Sequence, residues 1–146
     1  MDPIRYAAAA DAGRLAEIEV FNYRLNFYPI FRSDEFYFGE MTVAAWTAGW
    51  DADALSRTLV YDDGAVKGFL RLRGREVEKL FVEPVLQGQG IGARLLSRAI
   101  TLGADHLWAL EKNTRAIAFY ARHGFHPTGE RKLEEDTTEY LILLHR

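Results

Sequence analysis

Apolar side chains recur along this chain with two different periods. Between residues 57 and 73 ("RTLVYDDGAVKGFLRLR") apolar and polar positions alternate, which predicts strands, and Asp62, Asp63 and Gly64 break the alternation as the turn of a hairpin. A third strand is predicted over residues 77–82, stopped by Pro84, and "HLWAL" (106–110) predicts a short strand buried on both faces. Over residues 88–103 the period becomes helical. Ile91, Leu95, Leu96, Ala99, Ile100 and Leu102 fall on one side, and Arg94, Ser97, Arg98 and Thr101 on the other.

The remaining segments fill in around these. A short strand (4–7) precedes a helix opened by Asp11, whose carboxylate is placed to cap it, with Leu15, Ile18 and Phe21 or Asn22 at helical spacing. A helix over residues 113–123 ends at Gly124, and two closing strands (125–132 and 138–145) are joined by the polar turn "EEDT". Residues 21–50 are crowded with aromatics and interrupted by Pro29 and Gly39, which predicts a broken helix, a loop and a second helix near 42–49. The order predicts a mixed α/β architecture: one sheet of about seven strands with helices on both faces, in a single domain spanning residues 1–146.

Composition narrows the chemistry. With 49% hydrophobic and 27% charged residues the chain can bury a real core. Its net charge of −3 argues against a surface that tracks nucleic-acid phosphates. The absence of cysteine excludes disulfides, thiolate metal sites and a cysteine nucleophile. No apolar run is long enough to cross a membrane, and the N-terminus carries no basic region or hydrophobic signal core, so a soluble, cytoplasmic protein is expected. His106, His123, His126 and His145 show no ligand spacing with carboxylates, so no metal is expected, and no G-x-S-x-G elbow supports a serine hydrolase.

The stretch "VLQGQGIGARLL" (85–96) sets three glycines at alternate positions and runs straight into a helical pattern. A nucleotide-hydrolase phosphate loop would need Gly-Lys-Ser or Gly-Lys-Thr where this chain has Gly92-Ala93-Arg94. Gly88, Gly90 and Ala93 do satisfy the dinucleotide fingerprint, with Glu111 23 residues on. Against that reading, "EPVLQ" separates the strand from the first glycine, and only 35 residues follow Glu111. The same physics suits the pyrophosphate of coenzyme A. Free amides at the positive end of a helix hold an anion, and missing β-carbons let it approach.

"QGQGIG" (87–92) after the strand "VEKLFVEP" resembles the acetyl-CoA motif of the GNAT superfamily of N-acetyltransferases, and "EKNTRAIAFYARHGF" (111–125) is similar to that family's second motif. The resemblance implies a GNAT fold: about seven mostly antiparallel strands with a splayed parallel pair and helices on both faces. It also implies transfer of an acetyl group from acetyl-CoA to a primary amine by direct attack in a ternary complex, with a homodimer as a family-level expectation. The resemblance places coenzyme binding on the backbone of Leu80, Phe81 and Val82, on the loop of Gln87, Gly88, Gln89, Gly90, Ile91, Gly92 and Ala93, and on the helix residues Asn113, Ala116, Phe119 and Tyr120, with Asn113 equally suited to capping its own helix.

Tyr120 shares a helix face with Asn113, Ala116 and Ile117, and by the resemblance its hydroxyl is the acid that protonates the departing thiolate. The residue pattern equally allows Tyr120 to pack the core beside Phe119. Glu76 and Glu78 alternate with Leu80 and Val82 on one strand face, and both are candidates for the base, directly or through water. An amine acceptor is expected among Tyr23, Phe27, Tyr28 and Phe31, with Glu35 nearby for charge. Two rivals remain: a non-catalytic acyl-CoA sensor on the same fold, and a dinucleotide-binding protein.

Overall fold

Seven strands form one sheet in the computed structural model, which describes residues 2–146. They are β1 (Ile4–Tyr6), β2 (Thr58–Asp62), β3 (Val66–Arg73), β4 (Glu76–Val82), β5 (His106–Leu110), β6 (His126–Leu133) and β7 (Tyr140–His145). Their order is β1-β2-β3-β4-β5-β7-β6, and every neighbouring pair is antiparallel except β4 with β5. That parallel seam is held by a single pair, Glu76 with His106, beyond which the two strands part.

Helices cover both faces of the sheet at β2 and β3, which bury both sets of side chains. On one face, α5 (Ile91–Thr101) and α6 (Thr114–Arg122) pack over Leu59, Leu70, Val77, Leu107, Phe125 and Leu144. Leu95, Leu96, Phe125 and Leu144 are fully enclosed there, each contributing about 1.5–3 kcal/mol through burial. On the other face, α1 (Ala12–Asn26), α3 (Val43–Ala48) and α4 (Ala52–Ser56) enclose Val60, Phe69 and Trp50. Between α1 and α3 the chain forms α2 (Tyr28–Phe31) and a π-helical turn (Glu35–Glu40), around a small cluster of Val20, Tyr37 and Met41.

Five expectations change. Asp11 does not cap α1 with its side chain; its carboxylate turns back to accept the Ala8 amide at 2.7 Å and pairs with Arg5. α5 begins at Ile91 because Gly88 and Gly90 both take φ +85°, a left-handed turn that only then releases the chain into the helix. Leu102 ends that helix half-exposed, outside the core. β5 is enclosed at Leu107, Ala109 and Leu110, while His106 and Trp108 look toward the uncovered face, where Lys132 Nζ sits 4.2 Å from the Trp108 ring centre. The extra helix α4 is capped by Asp51, whose side chain accepts the Ala54 amide at 2.8 Å.

A β-bulge in β4 sets which way the strand's charged side chains point. Arg71 pairs with Lys79 but Leu72 pairs with Val77, which leaves Glu78 as the extra residue. Val77 thereby joins Leu80 and Val82 in the α5-side core. Glu78 and Lys79 both turn toward charged partners, so Glu76, Glu78, Leu80 and Val82 do not share one face as simple alternation predicts.

Candidate functional site

Where β4 leaves β5, a groove of about 600 Å³ opens between them. Its walls are Leu80, Phe81 and Val82 on β4, Leu107 to Leu110 on β5, and Asn113, Ala116, Phe119 and Tyr120 at α6. One mouth is the glycine loop, with Gln87, Gly88, Gly90, Ile91, Gly92 and Ala93 in the lining and Gln89 turned out to solvent.

Helix geometry leaves the amides of Ile91, Gly92 and Ala93 without intrahelical acceptors, since the first such bond runs from the Arg94 amide to the Gly90 carbonyl at 3.0 Å. A β-carbon at Gly88 or Gly90 would meet no protein atom within 4 Å. These glycines are therefore required by their left-handed backbone, and the space before them is open to a ligand. Arg115 and Arg122 of α6 also line the groove, and neither has a carboxylate partner among the described residues. The free amides fit a diphosphate at this mouth, and the two arginines add positive charge along the groove.

The Gln87 side chain does not face that mouth. Its Nε2 donates to Asn22 Oδ1 at 3.1 Å and approaches the Val82 carbonyl at 3.4 Å. Asn22, fully buried on α1, donates to the carbonyls of Ile18 and Val82, both at 2.9 Å. Helix α1, the end of β4 and the loop are thus tied together at the point where β4 has lost its neighbour.

Tyr120 lines the groove and packs edge-on against Phe119 and Phe125. Desolvation pushes its phenol well above the ordinary tyrosine range, so it stays protonated. Asn113 caps α6, its Oδ1 accepting the Ala116 amide at 3.3 Å.

The two strand glutamates fare differently from expectation. Glu78 touches the groove, but its carboxylate is held by Arg71 at 2.7 Å, by Arg73 at 2.5 Å and by Arg57 at 3.6 Å. Burial alone would raise its pKa; the Arg73 hydrogen bond and the Arg71 charge outweigh burial and hold it below the usual carboxylate value. A carboxylate so engaged is a poor proton acceptor. Glu76 lies outside the groove lining, at the closed end of the seam.

Another carboxylate is buried behind the groove wall. Glu19 of α1, 2% exposed, contacts Lys79 Nζ, accepts the Trp50 indole at 3.1 Å and lies 3.5 Å from the Tyr23 hydroxyl. Burial lowers the Lys79 pKa, only partly offset by the Glu19 charge. Lys79 and Tyr23 both line the α1 side of the groove, as do Phe27, Asn22 and Asn26. Of the expected acceptor residues, Tyr23 and Phe27 are therefore in place. Tyr28, Phe31 and Glu35 are not: Tyr28 bonds Asp34 and packs on Tyr37 and Phe38, Phe31 packs beside Tyr37 and Met41, and Glu35 is exposed at the π-helical turn. Asn22, Lys79, Arg115 and Arg122 are additions. Only Asn22 left a trace in the helical spacing; the others depend on contacts between distant segments.

A family model described as an acetyltransferase (GNAT) domain matches residues 54–127. Over 85 residues the chain is 35% identical to the peptidyl-lysine N-acetyltransferase YjaB of Salmonella typhimurium, an alignment that covers 58% of this chain and 59% of that protein. The chain thus spans about three fifths of the length of this curated relative. Among solved structures, apo YjaB from Escherichia coli superposes with a TM-score of 0.77 at 21% identity, covering 97% of this chain and 95% of that one. The PaiA N-acetyltransferase of Thermoplasma acidophilum, in complex with coenzyme A, superposes with a TM-score of 0.70 at 18% identity, covering 98% of both chains. At these identities the structural likeness is one of fold.

Proposed function

The chain belongs to the GNAT acetyltransferase family, and from that premise we propose that it transfers the acetyl group of acetyl-CoA to a primary amine by direct attack within a ternary complex. The observation that carries this reading is the parting of β4 from β5 beyond the Glu76–His106 pair, which opens one groove between the free amides of α5 and the Tyr120 phenol. The Ile91, Gly92 and Ala93 amides, with Arg115 and Arg122, hold the coenzyme's phosphates. The backbone of β4 at Leu80 and Phe81, open on its β5 side, receives the pantetheine arm and polarises the thioester carbonyl.

In the reaction a C–N bond forms and the C–S bond breaks; the amine nitrogen loses a proton and the departing sulfur gains one. Tyr120 donates to the sulfur. A phenol raised above a pKa of about 10 is a weak acid toward a thiolate of about 8.5, so the proton moves as the C–S bond breaks and negative charge builds on sulfur. On the base side we place Lys79 with Glu19 behind it: burial lowers the Lys79 pKa, so its neutral amine takes the acceptor's proton and the Glu19 carboxylate stabilises the ammonium that forms. This pair lies beside Tyr23, where an acceptor ammonium must be deprotonated before attack. Tyr23 and Phe27 supply aromatic faces for a cation, and the curated relative acts on peptidyl-lysine, so a lysine side chain is the acceptor we assign.

Calorimetric titration with acetyl-CoA and with NAD, followed by a thiol-release assay on lysine peptides, free amino acids and small amines, tests this reading. Micromolar acetyl-CoA binding with thiol release on lysine peptides is expected. Coenzyme binding without release from any amine would leave a non-catalytic acyl-CoA-binding module, and NAD binding alone would overturn the ligand.

A further inference from the structure

At the closed end of the β4–β5 seam, one row of paired residues crosses four strands. Glu76 of β4 pairs with His106 of β5, His106 with His145 of β7, and His145 with His126 of β6. Their chain neighbours Val77, Leu107, Leu144 and Phe125 are all buried in the α5-side core. Alternation therefore turns the glutamate and the three histidines together to the opposite face. In sequence these histidines are far apart, and no ligand spacing announces them.

The two central rings are neighbours across the β5–β7 pair. They stack with centroids 5.9 Å apart and planes at 14°. His106 Nδ1 lies 2.7 Å from Asp105 Oδ1, and His145 Nδ1 lies 2.7 Å from the Arg146 carbonyl oxygen. When each Nδ1 donates to its oxygen, both Nε2 lone pairs are left free, which is how outer hydrogen bonds prepare histidines for a metal. Arg75 holds the second oxygen of Asp105 at 3.0 Å, so this carboxylate serves as the orienting group. Asp105, His106 and His145 can bring one donor atom each within 4.8 Å of one another. Two nitrogens each about 2 Å from a shared ion lie at most about 4 Å apart, so the rings must draw together to share one.

We propose that His106 and His145, the first held by Asp105, form a cross-strand site for a borderline divalent metal ion of the zinc, nickel and copper class. An ion there would join β5 to β7 beside the one pair that still links β4 to β5, and so fix the closed end of the groove without entering it.

The test is calorimetric titration of the tag-free, chelator-stripped chain with zinc chloride. Micromolar binding at one site is expected, at least tenfold weaker in both His106→Ala and His145→Ala, and unchanged in His123→Ala, whose imidazole lies in the groove. Acetyl-CoA affinity should be the same in His145→Ala as in the parent chain. If a histidine variant fails to fold, amide NMR of the parent chain decides: nickel should first broaden residues 105–107 and 144–146. No zinc binding at millimolar ion, equal loss in His123→Ala, or broadening centred elsewhere would overturn the site.

Discussion

At Glu76 the backbone of β4 is paired with His106, and the charged groups nearby are engaged: Glu78 by Arg57, Arg71 and Arg73, Asp105 by Arg75 and His106. Further along the same strand, at Leu80 and Phe81, no strand covers the β5 side. There the neighbouring loop ends in free amides, and Arg115 and Arg122 lack carboxylate partners among the described residues. The contrast teaches where function resides in this fold. Groups satisfied within the protein build the closed end, and those left unsatisfied at the open end are the ones available to a substrate. Glu78 and Tyr120 both reach the groove, yet only the tyrosine has no charged partner to hold it.

Substitutions at the open end should have the largest effects. Gly90→Val forces a β-branched residue into φ +85° at the mouth of the loop and should weaken acetyl-CoA binding by about 10³-fold in calorimetry; near-normal affinity would move the coenzyme elsewhere. Lys79→Met strands the buried Glu19 charge and should cost about 3–5 kcal/mol in denaturant unfolding. The double variant Glu19→Gln/Lys79→Met should regain most of that stability without regaining activity. Recovery of both would make the pair structural only.

Tyr120→Phe should lower kcat by about 10²-fold with little change in acetyl-CoA affinity, because it removes a proton donor and leaves the packing surface. An unchanged kcat would place the proton elsewhere. At the closed end, Glu78→Gln should leave kcat within about twofold and cost about 1 kcal/mol of stability at neutral pH. Because the folded Glu78 pKa lies below its ordinary 4.5, its contribution is present above that pH and fades as pH falls through the folded value. The stability difference between parent and Glu78→Gln should therefore shrink in acid; a pH-independent difference would contradict the arginine cage.

Local patterns made much of this legible. The alternation over residues 57–73, the helical period ending at Thr101 and the glycine turn are each set by adjacent residues, and they locate β2, β3, α5 and the loop. The bulge at Glu78 was not legible, since it arises from a mismatch in count between β3 and β4 and no single residue marks it. Neither was the Glu19–Lys79 pair, whose partners are brought together only when α1 crosses β4. In the aromatic segment, composition showed a cluster but not its direction. Tyr23 and Phe27 line the groove from the last turns of α1, whereas Tyr28 and Phe31, beyond the break at Phe27, turn into the small core around Tyr37 and Met41.

The most direct test of the central claim is an amide NMR map of the chain during titration with acetyl-CoA. The groove assignment predicts that the largest shifts fall on Leu80 and Phe81, on Gly90 to Ala93 and on the α6 residues around Tyr120, with His106 and His145 nearly unmoved. Shifts centred outside the β4–β5 groove, or none at saturating coenzyme, would contradict it.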